Sequence, residues 1–109
     1  MNIEFSIALS ARKRIESLVD ELKRKKGLSD VIPAVMWLDA QETPAIKASC
    51  PAIGFYDNRT EIADDISVVD GFEFVLAIPT EYEPIFHGKV LHYVDGAFVL
   101  ETVRRFRRH

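Results

Sequence analysis

The chain has 109 residues, 48% of them hydrophobic, which suits one globular domain with its own core and no need of a disulfide framework. Its single cysteine excludes an intramolecular disulfide or a multi-cysteine metal site within one chain, and no apolar run approaches the roughly 20 residues that span a bilayer. The formal charge is −3, yet residues 104–109 hold four arginines and no acid, so the body of the chain is distinctly acidic and nucleic acid is not an expected partner.

The first residues lack a basic segment followed by a long apolar run, so no secretory signal is read and a cytoplasmic location is expected. Residues 3–7 alternate apolar and polar, which predicts a short half-buried strand. Ser10 is a candidate N-cap for a helix in which Ala11, Ile15, Leu18, Val19 and Leu22 form one apolar stripe, expected to dock on a sheet. On the other side Glu16 and Asp20 repel, while Asp20–Arg24 and Glu21–Lys25 attract. Lys23 to Lys26 sit at the negative end of the helix dipole, and Gly27 suits the left-handed residue that ends the helix.

Residues 31–38 are rich in β-branched and aromatic side chains and predict a strand, with Pro33 at its start or on an edge and Trp37 in the packing. Residues 39–59 are the least regular, with Thr43-Pro44 and Cys50-Pro51 forcing extended or turn geometry. Within them 45–49 can form a short strand, and 53–56 a better one closed by Asp57-Asn58. Long irregular connections often carry function, so a site is sought here first. Residues 65–100 predict two hairpins, because Asp70-Gly71 and Asp95-Gly96 each supply the positive φ angles of a type I′ turn between β-rich runs. Phe72, Phe74, Leu76 and Ile78 share one face, expected to meet the N-terminal helix. In the connection 79–88, Thr80 and Glu83 have capping-box spacing, and Pro84 limits any helix to a short turn.

Cys50 is the strongest nucleophile and the one soft metal ligand, with Lys47 the nearest group in sequence able to lower a thiol pKa; a lone cysteine is also commonly a small buried hydrophobe. His87 and His92 are five residues apart across a turn and a strand, and Asp95 adds a hard ligand that already has a sufficient role in its turn. Cys50, His87 and His92 are therefore the candidate metal positions, subject to at least three ligands converging. The pairs Asp64–Asp65 and Glu81–Glu83 read as solvent-facing charge, and no phosphate-cradling glycine loop, nucleophile elbow or Cys-x-x-Cys occurs. No catalytic residue is assigned, and a non-enzymatic role is favoured.

Taken together, the opening strand and helix from Ile3 to Ile15, the apolar strand through Val35 and Leu38, Asp65-Ile66 leading to Gly71, and the run Phe86-His87-Gly88-Lys89-Val90-Leu91-His92-Tyr93-Val94-Asp95-Gly96-Ala97-Phe98 resemble the HesB-like domain of A-type iron–sulfur carrier proteins. The resemblance implies an α+β fold over residues 1–103, its N-terminal helix packed on a curled, mainly antiparallel sheet, with 104–109 as a basic C-terminal tail. It also exposes departures. Carriers of that family hold iron or a cluster through a first cysteine in a Gly-Cys-Ser-Gly-like loop and a C-terminal Cys-Gly-Cys-like pair. Here the comparable loop is Ala48-Ser49-Cys50-Pro51-Ala52, the chain after Leu100 has no cysteine, and His92 stands where an acid is usual. The resemblance therefore implies a HesB-like protein that has lost the carrier's ligands and serves as an interaction or binding module for a protein partner or a second copy. No resident cofactor and no membrane association are expected. The alternative is a divergent iron or iron–sulfur carrier using Cys50 at an oligomer interface, its remaining ligands shared between chains or supplied by an outside thiol such as glutathione.

Overall fold

The chain opens with a three-residue strand, β1 (Phe5–Ile7), and turns at once into the helix α1 (Leu9–Lys26). The strands that follow are β2 (Ile32–Leu38), β3 (Cys50–Tyr56), β4 (Ile66–Val69), β5 (Phe72–Leu76), β6 (Lys89–Val94) and β7 (Ala97–Thr102), with a one-turn helix α2 (Glu83–Phe86) before β6. These elements come from a computed structural model that describes residues 3–103; the arginine-rich segment 104–109 lies outside the described residues.

The start of α1 differs from the capping role expected of Ser10. Ala8 is the residue before the helix: its carbonyl accepts the Arg12 N–H at 2.9 Å, and its own N–H donates to the Leu91 carbonyl at 2.9 Å. Ser10 therefore lies inside the first turn, and its Oγ accepts the backbone N–H of Tyr93 at 3.0 Å, tying the helix to β6. The far end is as expected, with Gly27 left-handed at φ 64 behind four basic residues. Ala11 and Ile15 are wholly buried, while Leu18 and Leu22 at the distal end of the stripe are half-buried. Among the described residues no helix is long and apolar enough to cross a membrane.

The expectation of a single curled sheet is corrected. The strands divide into a three-stranded sheet, order β1-β6-β7, and a four-stranded sheet, order β3-β2-β5-β4. Antiparallel pairing dominates in β2·β3, β4·β5 and β6·β7, but β1·β6 and β2·β5 are parallel. The division has a physical cause in the connection between the hairpins. Pairing ends at Ala77, two residues before Pro79, and a 3₁₀ turn at Thr80–Tyr82 runs into α2, whose first turn accommodates Pro84 because the missing N–H has no partner there in any case. The chain thereby leaves one sheet and starts the other. Both hairpin turns form as expected, with Asp70 and Gly71 at φ 51 and 77 and Asp95 and Gly96 at φ 49 and 82.

The main core lies between the sheets and under α1. Phe86 and Leu91 are completely buried in it beside Ile15, Val35 and Phe74. Phe86 is the hub of the ring contacts, edge-on to Phe5 at 5.6 Å and to Trp37 at 5.9 Å. Burial of a side chain of this size is worth roughly 1.5–3 kcal/mol. The Phe72–Phe74 face reaches the helix as expected, with the Arg12 guanidinium 5.2 Å from the Phe72 ring centroid. A second, smaller cluster covers the opposite face of the four-stranded sheet, where Ile62, on the connection from β3 to β4, packs over Ile32, Ala34 and Val75. Two local expectations change as well. Residues 45–49 are turn and bend rather than strand, and β3 begins at Cys50, so that Pro51 lies within an outer strand, where a missing donor is tolerated.

Candidate functional site

The three residues proposed as metal positions are used separately. Cys50 opens β3 opposite Leu38 and is half-buried. His87 follows α2, and its Nδ1 accepts the backbone N–H of Glu4 at 3.1 Å, which places the ring proton on Nε2 and joins the α2–β6 connection to the start of the chain. His92 lies on β6 with Nε2 3.5 Å from a Glu101 carboxylate oxygen on β7. Asp95 is occupied by its turn at φ 49. Among the described residues no three of His, Cys, Asp and Glu converge as a metal would require.

The irregular stretch after Leu38 is pinned by local polar contacts. Ser49 Oγ accepts the Ala40 N–H at 2.9 Å, and Asp39 accepts the Gln41 N–H at 2.8 Å through Oδ1 and the Tyr82 hydroxyl at 3.3 Å through Oδ2. Partial burial pushes the Tyr82 phenol up, and the negative charges of Glu42, Asp39 and Glu81 add to the shift.

The most connected charged group was not singled out by sequence reasoning. Arg59 places Nε 2.9 Å and Nη2 3.3 Å from the two oxygens of Asp30, and Nη1 2.7 Å and Nη2 2.8 Å from the two oxygens of Glu73. Hydrogen bonds from Arg59 hold both carboxyls below the usual carboxylate range, and the two acids in turn raise the guanidinium. This fork ties the β3–β4 connection to the start of β2 and to β5, keeping Ile62 over the second cluster. A groove of about 230 Å³ opens beside it, lined by Asp20, Lys23, Asp30, Arg59, Phe72 and Glu73. Of its charged groups, Asp30, Arg59 and Glu73 are matched to one another, which makes the fork a fastening. No signal in the sequence pairs Arg59 with acids that lie 29 and 14 positions away.

The feature left over is the outer edge of β4. Its register pairs Ser67 with Phe74 and Val69 with Phe72 around a two-residue turn. In such a hairpin the pair flanking the turn exchanges both hydrogen bonds and alternate pairs do not. Ser67 and Val69 therefore bond to β5, while the N–H and C=O groups of Ile66 and Val68 point away from it. The Ala77 N–H bond to the Val35 carbonyl at 2.9 Å agrees with this phase, since it shows the odd-numbered residues of the β5 run facing β2. No backbone bond to Ile66 or Val68 from that outer side occurs among the described residues.

The other outer strands are guarded. β3 carries Pro51 and lies against β7, and β1 is only three residues long. β4 has neither proline nor charge, and Val68 and Val69, on opposite faces, are 59% and 53% exposed. Its ends are acidic, with Asp64 and Asp65 before it and Asp70 after it, and these three make no ion pair among the described residues. A groove of about 530 Å³ opens at the first end, beside Asp64, Asp65 and Ile66 and extending to Tyr56 and Ile78. No protein-family model, no curated protein and no solved structure matches the chain.

Proposed function

We propose that this chain is a protein-binding module on a HesB-like scaffold, taking an extended segment of its partner by strand addition to β4. The observation that carries the reading is the unguarded β4 edge, which turns the N–H and C=O groups of Ile66 and Val68 outward and exposes Val68 and Val69, with no charge or proline in the strand to repel another. Main-chain bonds to those two residues supply attachment, and the exposed valines supply the apolar contact that an added strand covers. The HesB-like resemblance rests on the motif residues from Phe86 to Phe98, and the module reading follows from Cys50 standing without the family's C-terminal cysteines.

Val68→Pro tests the reading at its centre, because it deletes one outward donor and leaves the bonds to β5 in place. Strand addition predicts that the variant folds and loses binding to extended segments that the native protein retains. Equal binding by both contradicts it. The competing carrier reading is favoured by the partial exposure of Cys50 at the first position of β3. Anaerobic reconstitution with iron and sulfide beside Cys50→Ala decides between the two. The module reading predicts a colourless, iron-free protein, and a stable chromophore that needs Cys50 establishes the carrier.

A further inference from the structure

We infer that the segment taken up by β4 carries two apolar residues at alternate positions, bracketed at either end by lysine or arginine. This rests on the strand-addition reading and adds the chemistry of the partner.

The register supplies the argument. An antiparallel segment bonding to Ile66 and Val68 sets one residue opposite each, two positions apart in its own sequence. Beyond β4 the chain is no longer extended, Asp64 and Asp65 lying in a 3₁₀ turn (Ala63–Asp65) and Asp70 in the left-handed hairpin turn, so the flanking residues of the segment run out beside carboxylates instead of further rungs of the ladder. The matching segment has its two apolar residues two positions apart and a basic side chain beyond each end. Opposite charges across paired strands attract, and like charges directly opposite repel. The Asp64 end is the stronger recognition point, because Asp65 adjoins it and the 530 Å³ groove gives a long basic side chain room to enter. At the other end Ser6, Ile7 and Arg12 line a crevice of about 40 Å³ with Val69 and Asp70, so this acid has a cation of the protein beside it and is the weaker of the two recognition points. The partner accordingly enters from the Asp64 side.

Like charge disfavours one of the registers open to a second copy. Antiparallel self-pairing in which Ile66 of one copy meets Val68 of the other brings the acidic 3₁₀ turn of each beside the Asp70 turn of its partner, and the two-fold axis repeats the approach.

The test uses the full chain and two acetylated, amidated heptapeptides, Lys-Thr-Val-Thr-Val-Thr-Lys and its counterpart with glutamate at both ends, followed by NMR titration of the backbone amides. The lysine peptide is expected to shift Ile66 and Val68 and to slow their exchange, with an affinity roughly tenfold above that of the glutamate peptide. Asp64→Lys combined with Asp65→Lys is expected to reverse the order of the two peptides, a gain that misfolding cannot imitate. Equal binding of both peptides, abolished by Val68→Pro, overturns the basic bracket and leaves strand addition standing. Binding of neither peptide at β4 overturns both readings. A dimer of the peptide-free protein that Val68→Pro dissolves assigns the edge to a second copy and overturns the partner chemistry.

Discussion

The two hairpins of this molecule are built from the same local device and meet different fates. Each is closed by Asp-Gly with both residues at positive φ, and each joins two antiparallel strands. In the second hairpin, β6 has a strand on either side and Leu91 is wholly buried, while Phe98 and Leu100 of β7 pack on the core. In the first, β5 is interior but β4 is the last strand of its sheet, and Val68 and Val69 look outward. Turn chemistry thus makes a hairpin, and the surrounding fold decides whether its outer edge is covered. The uncovered edge is where the proposed recognition is placed.

Leu91→Ala and Val68→Ala break the comparison most directly. Removing the buried side chain is expected to cost about 2–5 kcal/mol through lost burial and the cavity left behind. The same truncation at exposed Val68 is expected to stay within about 0.5 kcal/mol. Chemical denaturation of the two variants checks this, and similar losses would mean that β4 is packed after all.

Gly71→Ala and Gly96→Ala sharpen the shared half of the comparison. A Cβ at either position meets open space, so the cost comes from backbone conformation alone, about 1–2 kcal/mol in each hairpin. Near-equal shifts in the denaturation midpoint are expected. A much larger loss at Gly96 would show that the turn also carries tertiary packing.

The smallest expected effect concerns the Arg59 fork, which fastens the connection leading into β4. Asp30 and Glu73 are held below their ordinary range in the folded protein, so their contribution is full above the unfolded carboxylate pKa and is lost as pH falls through the depressed folded values. Stability should therefore decline on acidification below about pH 4, the ordinary carboxylate value. Arg59→Gln is expected to flatten that part of the pH profile. All three side chains are about two-fifths exposed, so the change is a modest one. An unaltered acid limb in the variant would remove the fork from the account.

Local chemistry made much of this fold legible in the sequence. The Asp-Gly turns, Gly27 and the stripe starting at Ala11 and Ile15 depend on neighbours a few residues away, and each appears where the pattern places it. What depends on distant partners was not legible. The helix start is set by Ala8 and Ser10 bonding to β6, more than eighty positions on, which no capping rule anticipates. The split into two sheets follows from β1 pairing with β6 and β2 with β5, both non-local parallel pairings. At the candidate site the sequence pointed to Cys50, His87 and His92, residue types with conspicuous chemistry, whereas the β4 edge is made of main-chain groups that every residue carries. Only strand order reveals which of them are unpaired. Sequence alone gives Asp64 and Asp65 as solvent-facing charge and Asp70 as a turn residue, readings that omit the strand between them.

The central claim is that the outward groups of Ile66 and Val68 are free and receptive. Residue-resolved amide exchange of the full chain, with and without the lysine-bracketed peptide, tests it most directly. The account predicts slow exchange at Ser67 and Val69, which bond to β5, and fast exchange at Ile66 and Val68 that slows when the peptide is added. Slow exchange at all four residues in the free protein, unchanged by peptide, would contradict it.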